Sequence, residues 1–185
     1  MTGTTAQRWR TLSDQLSARI EAVPADAWDN PSPCEGWVAR DVVRHLADWM
    51  PALYLGSIGL PLPGGPSADI DPAGTWAAAD KAIQGVLDDP ELSQRMTDSP
   101  AGQMTVEQLI EFTGLMDLLI HAWDLARATG QDETLDPDEV HVFAAGIQPE
   151  MSEVMVASGH YKPSVHLPAD ADEQSRLLAF TGRQP

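Results

Sequence analysis

Lysine and arginine are scarce in this chain of 185 residues, because 11 basic side chains stand against 28 acidic ones and the formal net charge is −17. Nucleic acids and anionic membrane surfaces are bound through clustered Lys and Arg side chains. We therefore expect neither as a partner. The acidic composition indicates a negatively charged surface, and repulsion between like charges favours solubility.

Cysteine is limited to Cys34, so no disulfide can form within the chain and a reducing location is indicated. Long apolar runs are also lacking, since no stretch approaches the ~18 residues of a membrane span. The first residues, MTGTTAQRWRTLSDQ, contain no apolar segment of the length found in signal peptides. We therefore expect a soluble, cytoplasmic protein.

Strand patterns are nearly absent, whereas apolar residues recur at the three- and four-residue spacing of helices. The prolines and glycines of residues 61–74 predict a loop, and residues 88–104 predict a polar connection with one short helical turn. Pro51 is expected to kink the second helix or to end its first part. The helices are predicted from the N-terminus to about Val23, from about Val38 through Leu53, over Thr75–Leu87, from Thr105 to Gly130, from Asp136 to about Ala157, and over Asp172–Phe180.

This pattern predicts an all-α fold, an antiparallel helical bundle with additional C-terminal helices. We expect one domain over residues 1–185, with a core bundle at about 3–130 and a helical extension at 131–185. A chain of this length can bury a substantial apolar core without disulfides.

The segment Leu115–Ala126, LMDLLIHAWDLA, is apolar except for Asp117, His121 and Asp124. At 100° per residue these three side chains fall within roughly 60° of one helix face. A helix that is apolar elsewhere is normally buried, and a buried carboxylate must be paired, protonated or metal-bound. The sequence therefore predicts a polar site inside the helical core.

A third candidate ligand is His45, which lies on the apolar stripe of the second helix with Val42, Leu46 and Trp49. Two histidines and one carboxylate from two facing helices suit Zn, Ni or Fe and leave positions open for water or substrate. The alternative is that both histidines are ordinary core residues, hydrogen-bonded to the two aspartates.

Three segments carry a resemblance to a known family: Pro33-Cys34-Glu35-Gly36-Trp37, Arg44-His45-Leu46, and HAWDLARATG from His121 to Gly130. They resemble the DinB/YfiT-like superfamily, and within it the branch related to the metal-binding domain of mycothiol-dependent maleylpyruvate isomerase. The tail, from Gly159 to Arg183, is similar to an uncharacterised subgroup of that branch.

The resemblance implies a four-helix bundle that holds one divalent metal, most commonly Zn, through His45, Asp117 and His121. Asp117 stands where the isomerase has a glutamate, so its carboxylate is one methylene shorter, a difference of about 1.5 Å. Asp124 matches no ligand and is expected to orient His121 or to pair with a basic group such as Arg127. Proteins of this kind commonly form homodimers, and we expect one here.

The isomerase also carries an α/β domain for which residues 131–185 are too few and too helical. The resemblance therefore transfers a metal site rather than the isomerase reaction. Our leading hypothesis is a thiol-dependent transferase or isomerase in which a low-molecular-weight thiol attacks a small electrophile. The alternatives are a hydrolase that uses metal-bound water and a non-catalytic metal- or ligand-binding bundle. Cys34 is a possible second source of sulfur, although a small residue packed in a turn is the simpler interpretation.

Overall fold

Four long helices form the first compact unit of the chain, Met1–Glu133. The structure is a computed structural model, and it describes residues 3–99, 102–147, 156–157 and 161–185. The helices and strands of this unit, in chain order, are α1 (Thr5–Glu21), α2 (Ala39–Tyr54), a single 3-10 turn (Gly56–Ile58), α3 (Pro72–Asp88), α4 (Pro90–Ser93), β1 (Met96–Ser99), β2 (Gly102–Thr105) and α5 (Val106–Thr129).

The four long helices pack as a bundle in which α1 and α2 each lie between α3 and α5. Each helix buries one apolar stripe toward the common core, which is the arrangement expected of amphipathic helices in a bundle. The all-α prediction is confirmed. The core side chains include Trp9, Leu12, Leu16 and Ile20 of α1, Val42, Val43, Leu46 and Met50 of α2, Trp76, Ala79 and Ile83 of α3, and Leu109, Ile110, Leu115 and Leu118 of α5.

The start and stop signals of α5 were predicted correctly. The Thr105 hydroxyl accepts a hydrogen bond from the Gln108 backbone N–H, and the Gln108 side chain accepts one from the Thr105 N–H. This reciprocal capping box satisfies two backbone donors that the first turn leaves unpaired. At the other end Gly130 adopts a left-handed conformation with φ 70°, where glycine carries no steric penalty.

Helices α2 and α3 of the first unit depart from the prediction. Helix α2 continues through Pro51 to Tyr54. Since Pro51 lies in the last turn, its missing N–H removes one backbone hydrogen bond close to the end of the helix. Helix α3 begins at Pro72 rather than Thr75, because Asp71 caps it by accepting from the Gly74 N–H and Pro72 suits the first helical position.

The polar connection at residues 88–104 contains more structure than predicted. A four-residue helix, α4, is followed by strands β1 and β2, which pair antiparallel with Met96 opposite Thr105 and Ser99 opposite Gly102. The strands were missed because their sequences, MTDS and GQMT, lack the alternation of apolar and polar residues that marks a half-buried strand.

The second compact unit is Thr134–Pro185. It contains α6 (Pro137–Gly146) and α7 (Glu173–Phe180), which contact each other. Asp136 and Asp172 cap these helices, at the positions where the sequence predicts that they begin. Helix α6 ends at Gly146, well before the predicted Ala157, because Ile147 is extended. Residues 148–155 of that predicted helix lie outside the described residues.

The predicted core bundle at 3–130 lies within the first unit, and the boundary of the second unit is close to the predicted start of the extension. That both units form one domain stays a prediction. Within the described ranges, no helix is long and apolar enough to cross a membrane.

Candidate metal centre

Helix α5 is buried around nearly its whole circumference over the segment that carries the polar residues. Leu115, Leu118, Leu119 and Leu125 are each at most 1% exposed. Such a helix offers polar side chains almost no water, so each must find a partner within the protein. His121 and Asp124 are both buried, as the sequence predicts.

The three predicted ligands lie together. Asp117 stands between the two histidines, with its Oδ2 3.6 Å from His45 Nε2 and its Oδ1 3.5 Å from His121 Nε2. The two imidazole rings are 4.9 Å apart between centroids. One nitrogen or oxygen atom from each of the three residues therefore falls within 4.8 Å of the others.

These separations fit a shared cation better than direct hydrogen bonds. Hydrogen bonds between nitrogen and oxygen usually measure about 2.7–3.2 Å. Ligand bonds of about 2.0–2.2 Å in a tetrahedral zinc site instead put neighbouring ligand atoms roughly 3.4 Å apart. The donor set of two imidazoles and one carboxylate fits a divalent metal in both chemistry and spacing. The shorter side chain of Asp117 does not keep it from the cluster.

Exposure falls steadily across the cluster. The side chain of His45 is 28% exposed, that of Asp117 is 13% exposed and that of His121 is 6% exposed. The cluster is therefore most open to solvent on the side of α2 that carries His45. A cavity of about 270 Å³ in the same unit is lined by other residues, among them Ala47, Asp48 and Pro66.

Two tryptophans complete the surroundings of the cluster. Trp49 Nε1 donates a hydrogen bond of 3.2 Å to Asp117 Oδ2, which fixes the carboxylate between the histidines. The Trp37 ring stands 4.9 Å from the His45 ring and is stacked at 6.0 Å on the His121 ring. No pattern in the sequence indicates these contacts. Their contacts with the ligands depend on how α2 and the preceding loop approach α5.

The loop before α2 presents Trp37 and Cys34 to the cluster. An isolated antiparallel β-bridge between Pro31 and Val38 joins the two ends of this loop. Within the loop, the Ser32 N–H donates a hydrogen bond to the Trp37 carbonyl. Gly36 has φ 76°, a left-handed conformation that other residues rarely adopt, and it lets the chain turn between the two side chains. This turn accounts for the glycine between Cys34 and Trp37 in the PCEGW segment.

The opposite edge of His121 faces a second pair of side chains. His121 Nδ1 lies 2.9 Å from Asp124 Oδ2, and the Cys34 thiol donates a hydrogen bond of 3.4 Å to the same oxygen. Asp124 thus contacts His121 as predicted. Arg127, the other predicted partner of Asp124, forms an ion pair with Glu133 at 2.6 Å. Cys34 is half-buried in a turn and joined to the site, a contact that the sequence did not indicate.

The charge state of His121 follows from these neighbours. Burial lowers the pKa of His121, but the carboxylates of Asp117 and Asp124, with the Cys34 side chain, outweigh it and raise the pKa to about 10. In the metal-free protein the imidazole is therefore protonated at neutral pH. Its favourable charge interaction is fully present below the unfolded pKa of about 6.5 and is lost as the pH rises through about 10.

The other histidines of the chain belong to the second unit. His141 is on the surface of α6, 3.1 Å from Glu173 of α7, and His166 lies in the extended segment before α7. His160 falls outside the described residues. Surface or loop positions agree with the predictions for His141 and His166.

The segment that holds Cys34, Trp37, His45 and Trp49 is similar to a known protein family. Residues 9–54 match the mycothiol maleylpyruvate isomerase N-terminal domain family. The resemblance predicted from the sequence is thereby confirmed over most of α1, the following loop and α2. Asp117 and His121 lie outside the matched segment.

Two full-length relatives are uncharacterized proteins of Mycobacterium tuberculosis, MT0763 of strain CDC 1551 / Oshkosh and Rv0738 of strain ATCC 25618 / H37Rv. Each is 29% identical over an alignment of 191 positions, which covers 92% of this chain and 92% of the relative. The similarity therefore extends over both compact units. No solved structure matches the chain significantly.

Proposed function

We propose that the first unit binds one divalent metal, with zinc the leading candidate, through His45, Asp117 and His121. The observation that carries this proposal is the spacing of 3.5–3.6 Å between Asp117 and each histidine, too long for strong hydrogen bonds and suited to a common cation. The low exposure of the Asp117 carboxylate, 13%, adds support, because a carboxylate with little access to water is stabilised by a nearby positive charge.

We further propose that the bound metal serves thiol chemistry, as the similarity to a mycothiol-dependent isomerase domain suggests. A divalent metal with an open position favours the thiolate form of a bound thiol, and the thiolate is the attacking nucleophile. The substrate would be a low-molecular-weight thiol of the mycothiol type together with a small electrophile. Addition of the thiolate to the electrophile gives transfer or isomerisation.

The chain's own residues have distinct parts in this proposal. Asp117 supplies the negative charge of the ligand set, and the Trp49 N–H holds its carboxylate in place. His121 is anchored from behind by Asp124, an arrangement that orients metal-binding imidazoles in many proteins. His45, the most exposed member, borders the entry side, where the Trp37 ring forms an apolar wall.

Metal analysis of the purified full-length chain tests the binding step. We expect one divalent ion per chain in the wild type and in the control His141→Ala, which removes an exposed histidine of the second unit. His45→Ala should lose that ion, because two remaining protein ligands hold zinc far more weakly than three. Equal metal content in the wild type and His45→Ala would overturn the proposal.

A turnover assay tests the chemistry separately. Metal-loaded protein is mixed with a small electrophile in the presence and absence of mycothiol, and the consumption of both reactants is followed. Turnover that needs both mycothiol and His45 supports the thiol-dependent reaction. Turnover without any thiol would favour the hydrolase instead, and a metal-loaded protein without turnover would favour a non-catalytic bundle.

A further inference from the structure

A second group of metal-ligating atoms lies on the far side of His121 from Asp117. Cys34 offers its Sγ, Asp124 a carboxylate oxygen and His121 its Nδ1, and all three atoms lie within 4.8 Å of one another. Asp124 is completely buried, and Cys34 is half-buried in the loop before α2. The group is therefore shielded from bulk water on the side of the helical core.

His121 Nδ1 provides an independent sign that this group is incomplete. The nitrogen is buried and forms an ion pair with Asp124 Oδ2 at 2.9 Å, but it makes no well-directed hydrogen bond. Since the separation is short, the missing hydrogen bond reflects a poor angle between the N–H and the oxygen. A cation held by the nitrogen, the Asp124 carboxylate and Cys34 would replace this poorly directed contact with a ligand bond.

We propose that Cys34, Asp124 and His121 Nδ1 form a second metal position, selective for a soft, thiophilic divalent cation such as Cd²⁺ over Zn²⁺. Sulfur, imidazole and carboxylate ligands together suit these ions, and sulfur favours the softer of them. On binding, the Cys34 thiol and the His121 Nδ1–H each release a proton to solvent as the sulfur–metal and nitrogen–metal bonds form, with no oxidation or reduction.

The two positions exclude each other because they share one imidazole. A neutral imidazole has one nitrogen with a lone pair and one that carries the proton. His121 therefore ligates through Nε2 in the group with Asp117 and His45, or through Nδ1 in the group with Asp124 and Cys34. A thiophilic cation at the second position would draw His121 away from the first and so inhibit any chemistry there.

Titration of the full-length, metal-free chain with Cd²⁺ tests this proposal, because cadmium–thiolate bonds absorb in the ultraviolet. The wild type should develop this absorption up to one equivalent. Cys34→Ser, which keeps a hydroxyl donor for Asp124, should abolish it. Asp124→Asn should weaken the Cd²⁺ affinity at least tenfold. His45→Ala and the surface control His141→Ala should keep the absorption, because neither residue belongs to the second group.

Three results would overturn the proposal: no absorption in the wild type, unchanged affinity in Asp124→Asn, or loss of the absorption in His45→Ala. Circular dichroism of each variant identifies any that fails to fold. If Asp124→Asn fails to fold, Cys34→Ser and His45→Ala decide the question. The outcome is independent of the proposed thiol-dependent function. Equal zinc in the wild type and His45→Ala would reject the first position, whereas the cadmium absorption tests the second alone.

Discussion

Asp80 of α3 is a partly buried carboxylate, and its surroundings disfavour its negative charge. Burial raises the pKa of Asp80, hydrogen bonds from Trp9 and Ser13 lower it in part, and the neighbouring charge of Asp14 raises it again. The Trp9 indole N–H donates to Asp80 at 2.8 Å. The side chain therefore joins α1 to α3 through a useful hydrogen bond but carries an unfavourable charge.

Replacing Asp80 with Asn should stabilise the bundle at neutral pH, because the amide oxygen still accepts from Trp9 and carries no charge. An aspartate whose pKa is higher in the folded than in the unfolded chain holds more proton when folded. Its contribution to stability therefore falls as the pH rises between the two values. The gain in Asp80→Asn should be largest at neutral pH and disappear below about pH 4, near the unfolded pKa.

Urea unfolding at several pH values, followed by tryptophan fluorescence, measures this difference. Asp26→Asn is the matched control, since Asp26 is exposed in the loop after α1 and its removal should change the free energy of unfolding only slightly. A destabilised Asp80→Asn variant at pH 7 would show that the charge itself is favourable at this position.

At the same scale, the sequence predicts that Asp117, His121 and His45 lie close together because the information is local. Asp117, His121 and Asp124 share a face by helical spacing alone, and the apolar stripe of α2 predicts that His45 faces inward. The contacts of Cys34, Trp37 and Trp49 could not be predicted in the same way. They depend on a loop conformation that turns at Gly36 and on the distance between α2 and α5, which no local pattern records.

At the scale of the helix, Gly114 marks the place where α5 passes closest to its neighbours. A Cβ added there would lie 2.6 Å from Tyr54 Oη and 3.1 Å from Trp9 Cζ3. Tyr54 is buried, and its hydroxyl shares a hydrogen bond of 2.9 Å with Thr113. The missing side chain of Gly114 therefore allows α1, α2 and α5 to meet.

Gly114→Ala should destabilise the bundle by about 1–3 kcal/mol, the usual effect of overpacking a core. Gly85→Ala is the matched control, because Gly85 lies on the exposed face of α3 and an added Cβ there meets no atom within 4 Å. That variant should gain up to about 1 kcal/mol from alanine's higher helix propensity. Replacing glycine with alanine should therefore lower the free energy of unfolding at position 114 and raise it at position 85. Chemical denaturation measures both changes. Equal gains would mean that α5 can move away from Tyr54.

Element boundaries were predictable where side chains cap the helices. Thr105, Asp136 and Asp172 begin their helices as the sequence indicates, because a cap is a local hydrogen bond between residues three apart. The β1–β2 hairpin was missed, since its short strands carry little apolar pattern and their pairing joins residues that only the folded chain brings together. Local signals thus predict where a helix begins better than how a connection folds.

At the scale of the whole molecule, the excess of 28 acidic over 11 basic residues opposes folding. Several arginines are already paired with carboxylates, including Arg8 with Glu111, Arg10 with Asp88 and Arg127 with Glu133. Pairs of this kind with exposed members contribute about 0–1 kcal/mol each. The unpaired excess of negative charge is larger, so repulsion should dominate the net electrostatic free energy of the folded chain.

Salt should therefore stabilise the first unit at pH 7, even though it also weakens the ion pairs. Raising NaCl from 10 mM to 500 mM shortens the screening length from about 30 Å to below 8 Å, which removes most repulsion between distant carboxylates. We expect a gain of about 1 kcal/mol, or roughly 2–4 °C in Tm for a chain of this size.

All six tryptophans belong to Met1–Glu133, so their fluorescence reports this unit during thermal unfolding. Near pH 4.3, the isoelectric point, the gain should vanish because the net charge does. A Tm that falls with salt at pH 7 would mean that the arginine pairs outweigh the repulsion.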